Sequence, residues 1–456
     1  MKESRYNIWI QRHGEHYVYN GVSGALLRMT AEHHTAFRRF LNDDAQTDCP
    51  PSVLADLVRG RMLLSDDTDE LSFLEQRYAQ GRDSTQNLAL TVVTSLGCNF
   101  DCPYCFEAKH ASLMNEEVQD VVVELVRDKL AEIRLLSISW FGGEPLVGKG
   151  ALLSLSDRFI AMCDAANVQY EARITTNGYL LDEKTCADLL DRRVSHAQIS
   201  LDGPPEVHDR MRPLANGRGT FRQIVRNLHH AVNCFDVAIR INVDRNNIVA
   251  AEELLHLLAA EGFSGKLQVY LGQLVAINDG VDAPSAGYGG RCLGNSQFAD
   301  AELEFNRMAT RYGFSRASLP NPRAAPCTAV RVNEFVIGSE GELYKCYSSI
   351  GNPLEVIGNV TQYRDTDSRA HKWLKYNPFQ NAECRQCIAL PVCMGGCAHH
   401  AFDIMQYENR CGSFRYTHGQ RVEDYVDAFN RESNSTVAYA RVQGGQVTAE
   451  PFRILT

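Results

Sequence analysis

From Leu88 onward the sequence alternates between two kinds of segment, and this alternation constrains the fold more than any other feature. "LALTVVTSL" reads as a buried strand, and "NEEVQDVVVELVRDKLAEI" has helical period. The strand candidates "LSISWF", "YEARITT", "HAQISL", "DVAIRINV" and "LQVYLGQL" follow. Between them lie the helix candidates "ALLSLSDRFIAMCDAA", "DEKTCADLLDRR", "TFRQIVRNLHHAVNCF" and "VAAEELLHLLAAEGF". Strands that alternate with helices imply an α/β fold with a parallel sheet, doubly wound or curved into a barrel. In such barrels chemistry sits on the loops that follow the strands.

The flanks differ from this middle. "YNIWIQRHGEHYVYN" has two alternating aromatic stretches around "RHGE", a hairpin signature. A helix candidate "TAEHHTAFRRFL" has Thr30 as its N-cap, and "PPSVLADLVRGRMLL" has Pro51 in its first turn. Residues 1–85 are therefore expected to form a separate domain of one hairpin plus helices, with "GRDSTQN" (Gly81 to Asn87) as linker. The Gly-rich "NDGVDAPSAGYGGRCLGN" marks a loop, after which regular alternation is lost. Residues 88–310 and 320–411 read as two further domains. Residues 412–456 are a tail with a helix, "RVEDYVDAFNRE", and a hairpin candidate, "VAYARVQGGQVTAEPFRIL". The tail is expected to cover the cysteine-rich region or to pair with the N-terminal domain.

A formal charge of -10 speaks against nucleic acid or anionic lipid as partner, since both are bound mainly through Lys and Arg. Neither a secretory signal nor a long apolar run is present, so no membrane partner and a cytoplasmic location are expected. Fifteen cysteines then need another explanation than disulfides. Cys49, Cys163, Cys186 and Cys234 are isolated and read as plain thiols that pack as small hydrophobes. The rest fall into two groups, one near residue 100 and one between 327 and 411, with Cys292 upstream of the second.

"CNFDCPYCFE" directly follows the first strand and holds Cys98, Cys102 and Cys105. Zinc and ordinary iron-sulfur sites close with four protein ligands, so three thiols leave one place open. Zinc completed by a distant His explains the thiols. It does not explain "GGEP" (Gly142 to Pro145), which follows the second strand and lands on the same rim.

At these residues the sequence resembles the radical S-adenosylmethionine (SAM) family. The hallmark C-x3-C-x2-C with an aromatic before the last cysteine is matched by Cys98, Cys102, Tyr104 and Cys105. The resemblance implies a partial (β/α)6 TIM-barrel core and a [4Fe-4S] cluster on the three thiolates, with SAM on the open iron. One electron then frees a deoxyadenosyl radical; that chemistry belongs to the cofactor, while the protein aims it. By the same resemblance Gly142, Gly143 and Glu144 receive the methionine amino group. Thr176 and Asn177 in "TTNG", Ser200 and Asp202 in "ISLDG", and Asn242 are expected around methionine, ribose or adenine, with Tyr104 beside the cluster. Arg212 is expected as a carboxylate clamp. Plainer readings stand beside these: "TTNG" as a turn stabiliser, and Arg212 as a surface ion pair.

The later cysteines read C…G-x4-C…C-x2-C-x5-C-x3-C…C, from Cys327 to Cys411. This resembles the SPASM extension of radical SAM enzymes, against a zinc-ribbon alternative. The resemblance implies two auxiliary [4Fe-4S] clusters, one on Cys384, Cys387, Cys393 and Cys411, the other on Cys327, Cys346 and Cys397. Cys292 is the candidate fourth ligand of the latter; without it an iron is open to a substrate thiolate.

SPASM enzymes mostly modify peptides or proteins. In the sulfatase-maturating branch an Asp follows the cysteine of the G-x4-C element, whereas Tyr347 follows Cys346 here. Residues 1–85 resemble, in size and order, the winged-helix-like leader-recognition domain of enzymes that mature ribosomally made peptides. The expectation is a peptide maturase installing a thioether or carbon-carbon crosslink, with a leader-bearing precursor peptide and a flavodoxin or ferredoxin as partners. The alternatives are a sulfatase-type Cys or Ser oxidase, a quinone-cofactor peptide modifier, and a non-catalytic iron-sulfur or zinc scaffold that binds a peptide.

Overall fold

The computed structural model describes residues 1–42, 48–277, 281–315, 317–362 and 369–432, with the backbone of 440–443 and 446–449. The chain divides into two compact units. The larger comprises Asp83–Ser315 and Thr328–Tyr376, the other Met1–Arg82, Arg316–Cys327 and Asn377–Thr456.

The larger unit contains all six expected strands: β1 (Asn87–Ser95), β2 (Leu135–Gly142), β3 (Gln169–Thr176), β4 (Val194–Ser200), β5 (Asp236–Val243) and β6 (Leu267–Gln273). They are parallel and adjacent in chain order. Consecutive right-handed crossovers in one direction put every connecting helix on the same face. The helices are Glu116–Lys129, Lys149–Ala166, Glu183–Leu190, Phe221–Ala231 and Ala251–Ala260. Asn115 and Asp182 cap the first and third by accepting from Val118 N and Thr185 N, at 2.9 and 2.8 Å.

Period-two alternation gives each strand two unlike faces. On the helix side Leu90, Ile138, Ile174, Ile199 and Ile239 are fully buried, with Cys163 and Cys186 among them as small apolar groups. On the other, inner face stand half-buried polar residues such as Ser139, Gln198, Arg240 and Tyr270, with Arg173 exposed beside them.

β6 and β1 do not pair, so the array stays open. Three strands absent from the sequence reading extend it at the β1 edge: β7 (Glu334–Ile337), parallel to β1, then β8 (Glu342–Tyr344) and β9 (Gly358–Asn359), each antiparallel to the one before. The loop after β6 has its residues 278–280 outside the described set; two short turns follow, then a helix over Asn295–Arg311.

In the other unit Asn7–Arg12, Glu15–Asn20 and Leu26–Met29 form an antiparallel meander. The expected hairpin turns at His13 and Gly14, both with positive φ, as a two-residue turn between twisted strands requires. Helices follow over Ala31–Leu41, capped by Thr30, over Pro51–Arg59 and over Glu70–Asp83. The last was not among the helix candidates, and it takes in the first three residues of the expected linker, Gly81 to Asp83. Gly81 sits inside it, because a Cβ there would come within 2.5 Å of the Ala324 Cβ.

The meander is covered on both faces. Val18 and Met29 pack with Phe37 and Leu57 of the helices. Ile8, Ile10, Tyr17 and Tyr19 pack with Ala389, Val392, Val422 and Val426. The tail helix, Phe414–Glu432, thus joins the N-terminal sheet and the cysteine-rich segment in one core, with Arg12 paired to Glu423 at 3.1 Å. Ala440–Gln443 and Gln446–Ala449 form the expected hairpin; the remainder of that segment lies outside the described residues. Among the described residues no helix is long and apolar enough to cross a membrane.

Candidate active site

The loop after β1 carries Cys98, Cys102 and Cys105, and the "GGEP" loop after β2 lies directly against it. Gly143 N donates to Ser95 O and Glu144 N to Gly97 O, both at 3.1 Å. A Cβ on Gly143 would stand 2.5 Å from Leu96 O and 2.6 Å from Gly97 O, so only glycine permits this approach. Gly142 has φ +124°, open to glycine alone.

Glu144 is fully buried. Its Oε1 accepts from Thr176 Oγ1 at 2.7 Å and Leu146 N at 3.0 Å, and its Oε2 from Asn177 N at 2.7 Å. Burial raises its pKa, and these three bonds oppose the rise. A carboxylate has about four lone-pair sites, so Oε2 keeps room for another donor. Asn177 also stabilises a turn through Tyr179 N, and its Nδ2 reaches Asn99 Oδ1 at 2.7 Å.

A second cluster joins the ends of β4 and β5 to the cysteine loop. The Tyr104 hydroxyl donates to Asp202 Oδ2 and accepts from Arg212 Nη1 at 2.6 Å. Asp202 Oδ1 accepts from Asn242 N and Nδ2, at 2.9 and 3.1 Å. Arg212 is a largely buried centre of this network and not a surface ion pair; its Nη1 is 3.9 Å from Asp202 and its buried Nε has no acceptor among the described residues. Burial works against the Arg212 charge, yet Tyr104, Cys102 and Asp202 hold its pKa well above the ordinary value. Ser200 ends β4 nearby and is buried, outside the network.

The sequence reading missed three supporting residues. Asp202 N donates to His208 Nδ1 at 3.2 Å, which leaves the ring proton on Nε2, facing Thr220 Oγ1 at 3.0 Å. Thr220 then donates to Arg212 O at 2.8 Å. Burial and the nearby Arg212 push the His208 pKa well down, consistent with a neutral ring. Asn247 donates to Asp202 O and Asn242 O. The only signal available was position, a few residues beyond "ISLDG" and "NV".

Burial pushes the Cys98 thiol up to about 11 and Cys105 to about 12, and Cys102 upward too. Such thiols stay protonated unless a cation holds the thiolate.

In the other unit Cys384, Cys387, Cys393 and Cys411 line one pocket with Leu390, Gly395 and Arg415. Met394, Gly395 and Gly396 all have positive φ, which folds the chain around the pocket between Cys393 and Cys397. Arg415 Nη1 donates to Cys411 Sγ at 2.9 Å. Cys327 and Cys397 belong to this unit, Cys346 and Cys292 to the larger one. Burial would raise the Cys397 thiol, but its bond to His400 lowers it instead. Cys292 Sγ is 3.7 Å from Tyr288 O.

The family model of the Radical SAM superfamily matches residues 92–258, the span that carries both rim loops and the Tyr104, Asp202, Arg212 and Asn242 cluster. Residues 92–258 are a radical SAM domain. Among curated relatives, a cysteine-type anaerobic sulfatase-maturating enzyme of Clostridium perfringens is 23% identical over 335 residues, covering 66% of this chain and 86% of the relative. A GTP 3',8-cyclase of Helicobacter pylori is 37% identical over 109 residues, 23% of this chain and 32% of the relative. Two solved structures share the fold. The enzyme anSMEcpe, with AdoMet and Kp18Cys peptide bound, has a TM-score of 0.58 at 19% identity over 75% of this chain and 99% of its own. Streptococcus suis SuiB, bound to its precursor peptide SuiA, has a TM-score of 0.52 at 13% identity over 90% and 99%.

Radical SAM enzymes use a [4Fe-4S] cluster and SAM, and the radical SAM domain has groups that fit both. It offers three soft sulfur donors in a desolvated loop. A single ion needs all ligands within about 2.3 Å of one point, and no three His, Cys, Asp or Glu side chains among the described residues converge so. A four-iron cluster gives each thiol its own iron and asks for no such convergence. The glycine cradle, the spare Glu144 lone pair and the orphaned Arg212 Nε suit an amino acid zwitterion.

Proposed function

We propose that this radical SAM enzyme matures a ribosomally made precursor peptide, installing a thioether or carbon-carbon crosslink. One observation carries the reading: the N-terminal piece, through its three-stranded meander, and the four-thiol pocket share a single core, in a chain that also holds a radical SAM domain. SuiB, whose fold aligns over 90% of this chain, is itself a binder of a precursor peptide.

In this proposal Cys98, Cys102 and Cys105 hold the cluster. Bound together, cluster and SAM supply a carbon radical that removes hydrogen from the peptide. Glu144 accepts the methionine ammonium on Oε2, Arg212 takes the carboxylate through Nε, and Gly142 and Gly143 let the backbone close on it. Tyr104 and Asp202 hold Arg212 in place, while Thr176 and Asn177 fix Glu144. Ser200 and Asn242 face ribose or adenine. Cys384, Cys387, Cys393 and Cys411 hold one auxiliary cluster; Cys327, Cys346 and Cys397, with Cys292 as the candidate fourth ligand, hold another. A leader docks on the N-terminal domain, residues 1–85, where added-strand pairing supplies affinity. The radical SAM core spans 88–310 and the SPASM domain 320–411, and a flavodoxin or ferredoxin delivers electrons.

A second reading, a sulfatase-type oxidase, is favoured by the Clostridium relatives. Against it stands Tyr347, half-exposed and packed on Phe141 and Phe106 at 5.8 and 6.4 Å between ring centres, where that branch has an Asp. The test is anaerobic incubation of loaded protein, SAM and reductant with short peptides encoded beside its gene. Loss of a pair of hydrogens from the peptide, abolished by Cys98→Ala, is expected. A thiol turned into an aldehyde selects the oxidase, and no deoxyadenosine at all selects a non-catalytic scaffold.

A further inference from the structure

The inner face of the sheet holds a cation that none of these roles uses. Arg240 lies between Ile239 and Ile241, both fully buried on the helix side, so its side chain takes the inner face, where it is half-buried. Its Nε donates to Asn242 Oδ1 at 2.8 Å, and it stands opposite Tyr270, its partner across β5 and β6, whose hydroxyl donates to Gln198 Oε1. The guanidinium therefore extends toward the C-terminal ends of the strands, beside Asn242.

Gly272 makes that posture available. It is the next inner position on β6, and a Cβ there would collide with Arg240 Nε and stand 2.9 Å from Asn242 Oδ1. Among the described residues no carboxylate pairs with Arg240, and the rest of its N–H fork has no acceptor. Arg173, on the same face of β3, reaches only Ser137 Oγ at 3.4 Å. Asp202, beyond Asn242, is engaged by Tyr104, Arg212 and Asn242, and Glu334, whose charge is felt by Arg173, is paired to Arg331 at 3.3 Å. A chain of net charge -10 thus presents in Arg240 a guanidinium that no carboxylate pairs among the described residues, on the face below the cysteine loop. Arg matches a carboxylate with a planar, bidentate fork.

We propose that Arg240 binds a carboxylate of the substrate peptide and holds that segment below the rim. This rests on the reading that a peptide is the substrate. The carboxylate belongs to an Asp or Glu side chain or to a peptide C-terminus, and these sources are separable.

The test uses binding, so turnover is not needed. Two libraries of short synthetic peptides, one C-terminally amidated and one free-acid, are equilibrated with cluster-loaded, SAM-saturated enzyme, and the retained peptides are sequenced by mass spectrometry. Enrichment of Asp and Glu in the amidated library assigns a side-chain source; preference for the free acid assigns the terminus. Arg240→Gln should lower the enrichment roughly 10- to 100-fold, as loss of a charged hydrogen bond predicts. Arg240→Lys should restore part of it. Gly272→Ala, which displaces the guanidinium without removing charge, should also lower it, and SAM affinity should be retained in all three. Loss of SAM affinity in step with peptide affinity would overturn the proposal in favour of the methionine carboxylate. An enzyme that crosslinks a peptide yet shows no acidic preference overturns the Arg240 assignment alone. Retention of no peptide from either library counts against both readings.

Discussion

The two thiol-rich regions are built in opposite ways. Cys98, Cys102 and Cys105 hang from a parallel sheet with a large core of its own, which they join only at its edge, and the surrounding carboxylates and amides are already hydrogen-bonded. Cys384, Cys387, Cys393 and Cys411 sit on helices of four or five residues and the turns between them, with three consecutive left-handed residues inside the segment. Helices that short have little stability of their own. In the first region the scaffold positions the thiols. In the second, a bound group would hold the scaffold together, because ligand binding there is also folding energy.

Paired cysteine variants give the largest contrast. Cys98→Ala should erase SAM cleavage while shifting unfolding free energy by less than about 1 kcal/mol. Cys393→Ala should destabilise its unit by on the order of 4 kcal/mol, read as earlier proteolysis of residues 1–82 and 377–432 in loaded protein. Equal loss of stability in both variants would break the comparison.

Next comes Arg212→Met, which leaves Asp202 buried without its cation. A cost of about 3 kcal/mol is expected in denaturant titration, together with weaker SAM binding; unchanged SAM binding would remove Arg212 from the cofactor site. Gly143→Ala forces the two rim loops apart and should cost about 2 kcal/mol, with SAM affinity falling by equilibrium dialysis. The smallest effect is expected of Thr30→Ala, which removes the acceptor of His33 N at 3.1 Å. About 1 kcal/mol should be lost there, with SAM cleavage unchanged, since the cap serves only the N-terminal helix.

The same contrast explains what the sequence could disclose. Core strands such as β5, read as "DVAIRINV" and observed as Asp236–Val243, announce themselves through alternation long enough to count. β7, β8 and β9 have four, three and two residues, too few for any period to register, although "EFVIGSEGELY" has a turn between two apolar runs. Gly81 was misread because a glycine packed against Ala324 looks the same in sequence as one in a linker. At the site, the cysteines and glycines were legible because their chemistry depends on spacing within one loop. The Tyr104, Asp202, Arg212, Asn242 network brings together strand ends up to 138 residues apart, and His208, Thr220 and Asn247 enter it only through three-dimensional proximity.

The tail helix, finally, has a consequence for how the protein is made. Its Val422 and Val426 complete the core in which Ile8 and Ile10 are buried. Residues 1–82 leave the ribosome well before that helix, so their sheet keeps an uncovered apolar face until about 350 more residues have been added, roughly 20 to 70 s of synthesis. The radical SAM domain, inserted between the two halves of that core, can fold in the interval. The meander thus leaves an apolar face for a chaperone to cover until the tail helix is made.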